Sequence, residues 1–286
     1  MANDRTRQEI QRLKQLPVLS PHVQRLLNSC GDPDITQTEL VDILDKLPVI
    51  AARLLGLSNS AFFGQQGRVH SLAHAISVLG LVMVRSVAVS LSLADMFSVK
   101  RCPHFNAERY WSSSIMTALM ANEINADIRA DLRPAADSVY MAGLLHNIGL
   151  LAMVQLYPEE MERAFVAYEK TPERNLGEYV NDRLGATQYQ AGVWVGSKWH
   201  LPEGILLVME YHYDRNYRDK HWPLVLLEGI CARWASQIVG GRDELSPETE
   251  SLSALGLSAE RVEALWQQMR IRLESIHEIS ALFVQG

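Results

Sequence analysis

Apolar residues along this 286-residue chain recur at helical spacing, and no stretch shows the period-of-two alternation of a half-buried strand. Ser20-Pro21 sets a cap and first position for a helix carrying Val23, Leu26 and Leu27, stopped by Gly31. Thr36 and Glu39 read as a capping box, the threonine hydroxyl accepting from the third helical amide and the glutamate reaching back. Behind it Leu40, Ile43, Leu44 and Leu47 mark one buried face. Pro48 opens another helix, followed by turns at Asn59-Ser60 and Gly64. Ser71 caps the next, and Gly80 separates it from a long apolar helix reaching Phe97. Further helices are expected near 107–127, 135–147, 148–156, 158–170, 187–199, 203–213 and 222–239. A polar loop over 240–253 and one long helix over 258–283 follow, and a short polar helix over 4–15, closed by Leu16-Pro17, begins the set. The pattern predicts an all-α, multi-helical chain, with Cys102-Pro103-His104 as a connector between helical subdomains.

Composition narrows the picture. With 48% hydrophobic and 21% charged residues, the chain suits a globular protein with a substantial core. The greasiest segment, Leu79 to Phe97, carries Arg85, Asp95 and three serines, so it reads as a buried helix and not a membrane span. A net charge of −6 argues against nucleic acid, and Arg5, Arg7, Arg12 and Lys14 are interleaved with Asp4 and Glu9. Cys30, Cys102 and Cys231 fit no metal-finger spacing and are expected as reduced thiols. The polar N-terminus has no signal-peptide stretch, so a cytoplasmic protein without membrane contact is expected.

The chemistry-bearing stretch is Met141-Ala-Gly-Leu-Leu-His146-Asn147-Ile-Gly149, an apolar helical run ending in a His-Asn pair. With Asp at 147 the pair would match the adjacent His-Asp ligands of a metal-dependent phosphohydrolase; a neutral amide cannot bridge two cations. The default for His146 is a ring satisfied by backbone carbonyls, with Asn147 bonding a neighbouring helix or capping its own. Gly143 is expected to permit close helix approach and Gly149 a C-terminal turn. Asn59-Ser60 reads first as turn and cap chemistry. Phe62, Phe63, Trp111 and Trp199 read as core. His200, His212 and His221, with Tyr211, Tyr213, Tyr217 and Trp222, read as a half-buried seam.

Several segments, in order, resemble the HDOD family (HD-related output domain), a bacterial signalling module. They are Leu16-Pro17-Val18-Leu19-Ser20, Gly31-Asp32-Pro33, Asn59-Ser60-Ala61-Phe62-Phe63-Gly64, Ser71-Leu72, Trp111, Gly143-Leu144-Leu145-His146-Asn147 and Tyr211-His212-Tyr213. The match covers roughly residues 8–213. The resemblance implies an N-terminal helical bundle, 1–100, packed on a degenerate HD-like bundle, 101–213, with a C-terminal helical extension, 214–286. In the parent hydrolases metal is held by histidines, a His-Asp pair and a distant Asp. Carried onto this chain, those positions fall at Ser113, His146, Asn147, Gln188, His212 and Arg233.

Only the two histidines survive, and an arginine cannot give up its proton to become a ligand. No catalytic residue, metal or cofactor is therefore expected. The reading is a non-catalytic regulatory module that docks signalling proteins in trans or senses a small molecule, with a homodimer left open. No receiver, kinase or cyclic-dinucleotide module is seen within the chain, hence partners in trans. The alternative is a metal-dependent phosphohydrolase or phosphodiesterase with an atypical ligand set, the one reading that requires divalent metal.

Overall fold

The computed structural model describes residues 18–30, 32, 34–64, 67–171, 174–245 and 248–284. The helix expected over 4–15, its closing Leu16-Pro17, and Gly31 and Pro33 lie outside the described residues. Among those described, the elements are helices joined by turns, without strands.

The first half unfolds from its caps. Ser20 accepts from the amide of Val23 to start α1 (Pro21–Ser29), and Thr36 and Glu39 close the reciprocal box that opens α2 (Gln37–Leu44). Then come α3 (Pro48–Ser58), a short 3-10 turn (Ala61–Phe63), α4 (Leu72–Leu79, capped by Ser71) and α5 (Leu81–Ala94). Gly80, with φ of +84°, adopts backbone angles that L side chains rarely take, and lets α5 leave α4 at 114°. α5 is buried from Val84 to Ala94, as its apolar run required.

Within that run Arg85 is 1% exposed. Its guanidinium donates to the carbonyls of Ser29 (2.8 Å) and Asp32 (3.3 Å) and pairs with Asp137. The cation thus ties the end of α1 to the start of α7 (Ala136–Leu145).

The central helix is α6 (Ala107–Asn125), flanked by α7, α13 (Trp222–Val239) and α16 (Leu273–Val284). Between α7 and α13 run α8 (Ile148–Leu156), α9 (Pro158–Lys170), α10 (Leu176–Leu184), α11 (Gln188–Lys198) and α12 (Glu203–Tyr211). α14 (Thr249–Leu255) and α15 (Ala259–Ile271) complete the chain. One continuous apolar core reaches from Leu26 to Phe283, and Trp111 and Trp199 are buried in it. The run Ala136–Leu156 is long and apolar enough to cross a membrane, but 83% of its apolar window is buried inside the protein.

Three expectations are corrected. Residues 176–184 form a helix the apolar pattern did not announce, although Asn175 and Glu178 build a capping box there. The loop expected over 240–253 contains α14. The single helix expected over 258–283 is two, broken at Arg272, whose guanidinium lies 5.1 Å from the Phe62 ring centre.

Candidate functional site

The helical run containing α7 and α8 breaks at His146-Asn147, and this joint is held by backbone contact on both sides. A Cβ on Gly143 would lie 2.5 Å from the Ala118 Cα of α6. One on Gly149 would lie 2.0 Å from the Gln188 carbonyl oxygen and 2.3 Å from the Gly192 nitrogen. Gly149 is thus a packing residue inside α8 and not the turn expected from the sequence.

His146 is buried, and its Nδ1 donates to the Gly143 carbonyl at 2.8 Å. A carbonyl only accepts, so the neutral ring carries its lone pair on Nε2. His212, following α12, repeats the arrangement: Nδ1 donates to the Val208 carbonyl at 2.8 Å. The two rings meet edge to face, centres 4.9 Å apart. Burial holds both imidazoles well below their ordinary pKa, and for His212 the neighbouring His146 and Arg233 add to the effect.

Asn147 neither caps α8 nor, among the described residues, bonds a neighbour, against expectation: its Oδ1 is buried without a partner among them. Gln188 opens α11 with a buried side chain whose Oε1 is likewise unpaired. Each such atom costs about 1–3 kcal/mol unless something else supplies the hydrogen bond.

Ser113, His146 and Asn147 line one cavity of about 560 Å³. Tyr110 and Ser114 add buried hydroxyls, and Leu150 and Phe165 supply apolar wall. At the rim His104 is fixed by Glu162, which accepts from its ring and, at 3.0 Å, from its backbone amide. Tyr110 and Ser114 escaped the sequence reading, although their i, i+3, i+4 spacing with Ser113 places all three on one face of α6.

Arg233 does not enter the cavity. Its fork clasps Glu248 at 2.7 and 3.1 Å, its remaining nitrogen approaches the His212 carbonyl at 3.3 Å, and Arg215 also pairs with Glu248. His200 and His221 are exposed and do not join His212. Asn59 does structural work elsewhere: its amide donates to the Leu55 and Val69 carbonyls and its oxygen accepts from the Val69 amide, pinning the 67–70 segment to α3. The Ser60 hydroxyl is buried and unpaired among the described residues. One further residue had no sequence signal: Glu228 of α13 is fully buried with neither carboxylate oxygen bonded among the described residues, and burial raises its pKa well above the carboxylate range.

As a metal centre this donor set is poor. Two neutral imidazoles, an amide and a hydroxyl bring no negative charge to offset divalent cations. Among the described residues no group of three His, Cys, Asp or Glu side chains converges to hold a metal ion.

A family model, the HDOD domain, matches residues 16–215. An uncharacterized protein of Treponema pallidum (strain Nichols) is 24% identical over 217 residues, 75% of this chain and 41% of that protein. A Marinobacter aquaeolei VT8 structure, provisionally described as a signal transduction protein, superposes with a TM-score of 0.85 at 24% identity, covering 99% of this chain and 66% of that one. A Shewanella amazonensis SB2B structure, provisionally described as a phosphohydrolase, gives 0.77 at 17% identity, covering 96% of this chain and 97% of that one. The chain thus spans less than two thirds of the length of the first two relatives.

Proposed function

The chain belongs to the HDOD domain family, and from that membership we propose that it is a non-catalytic regulatory module of bacterial signal transduction. It occupies the cytoplasm and passes on a helix rearrangement to signalling proteins in trans, set by a small molecule at the α7–α8 joint or by the docking itself. What supports this reading is the donor set: by the resemblance, Ser113, Asn147, Gln188 and Arg233 fall where the related hydrolases use imidazoles and carboxylates, and among the described residues no group of three potential ligands converges. A bridging hydroxide has no source without two metal ions, and two imidazoles, an amide and a hydroxyl, with no bridging carboxylate, hold such a pair poorly. The rival, a phosphohydrolase with an atypical site, draws support from the paired Nε2 lone pairs of His146 and His212.

Elemental analysis of protein incubated with Mn²⁺ or Fe²⁺, together with an assay on bis(p-nitrophenyl) phosphate, tests the reading. We expect substoichiometric metal and no turnover above the blank. About two metal equivalents per chain with phosphodiester cleavage would establish the rival.

A further inference from the structure

Resting on the non-catalytic reading, we infer that the cavity at the α7–α8 joint binds a small uncharged molecule with a carboxamide or lactam edge, met by Asn147 and flanked by Tyr110 and His146. Three observations carry this. The volume, about 560 Å³, lies within the range of small-molecule sites, and Leu150 and Phe165 offer the apolar wall that flat rings favour. The floor has unmet hydrogen-bonding demand: Asn147 Oδ1 is buried without a partner among the described residues, and the buried Tyr110 hydroxyl has only the neighbouring Ser114 beside it. The floor also carries no formal charge: burial keeps the His146 ring neutral, with Nδ1 donated to a carbonyl and the lone pair left on Nε2.

That chemistry selects its ligand. An anion would find no cationic side chain at the floor and a cation no carboxylate there; either would lose its water with little return. A primary carboxamide or a lactam presents a donor and an acceptor in one plane, the complement of the Asn147 side chain in either orientation of its amide. Charges stand only at the mouth, on Arg109, Glu169 and the His104–Glu162 pair.

The test titrates the full chain with nicotinamide and quinazolin-4-one, both neutral, and with nicotinate and inorganic phosphate, both anionic, following backbone amide shifts and calorimetry. Neutral probes of this size should bind with Kd on the order of 1 mM, and nicotinate, an isosteric anion, about tenfold or more weaker. Asn147→Leu should weaken nicotinamide about tenfold, the weight of one hydrogen bond. Tyr110→Phe removes one oxygen without changing shape and provides the same readout should Asn147→Leu misfold. Absence of neutral-probe binding, equal binding of nicotinate, or affinities unchanged in both variants would each overturn the inference. None of these touches the regulatory reading, which only metal uptake with turnover would overthrow.

Discussion

Glu228 sits at odds with its surroundings: an acid wholly buried in α13, with neither oxygen bonded among the described residues. Its native pKa is raised, so the native protein keeps the proton that the unfolded chain releases above pH about 4.5. Stability from this group is therefore complete at low pH and drains away as pH rises. Glu228→Gln keeps the shape and abolishes the titration. The variant should gain on the parent by up to ~1.4 kcal/mol for each pH unit above 4.5, until the native pKa is reached. Urea denaturation at pH 5 and pH 8 checks this; an identical difference at the two pH values would refute it. His146 and His212 act with the opposite sign. Their native pKa values are depressed, so below pH about 6.5 the unfolded chain takes up protons the native core refuses, and stability falls as the solution acidifies. The double variant His146→Gln/His212→Gln should lose much of that acid sensitivity in the same titration, whatever it costs at neutral pH.

At the scale of helices, the glycine contacts at the joint are the sharpest constraint. A methyl on Gly149 would overlap backbone atoms of α11, which cannot rotate away as a side chain can. Gly149→Ala should cost about 3 kcal/mol or more, read as a lowered urea midpoint. Thr36→Ala, which removes only the α2 cap, should cost about 1 kcal/mol. The sequence showed such caps plainly, because Ser20, Thr36 and Ser71 act on amides only three residues away. It showed the Asn59 turn less fully, since the bonds to Val69 span ten residues. It hid the break at Arg272, where neither glycine nor proline stands and the residue's contact is with distant Phe62. At the site, the resemblance singled out Ser113, His146 and Asn147, which line one cavity. The unpaired state of Asn147 was not legible, because it depends on what α6, α9 and α10 fail to offer it.

Over the whole molecule, the last helix returns to the first half of the chain. α16 packs on α6, α3 and α5, and Phe283 lies 4.6 Å, centre to centre, from the Trp111 ring. Ile276, Ile279 and Phe283 are buried there, each worth about 1.5–3 kcal/mol of apolar transfer. A chain ending at Arg272 should therefore unfold at lower urea and show a red-shifted, solvent-exposed tryptophan emission. Unaltered stability would mean that the helix rests on the core without supporting it. The same closure means that the expected segments 1–100, 101–213 and 214–286 share one buried interior.

Arg85 shows what such sharing entails. Its flat fork satisfies two carbonyls at and just beyond the end of α1 and one carboxylate in the first turn of α7, and three acceptors with no cation among them would repel one another. A lysine there keeps the charge but loses the fork, reaching one partner and abandoning the rest. Whatever tugs on the loop after α1 therefore pulls, through a single planar ion, on the rod whose far end is His146.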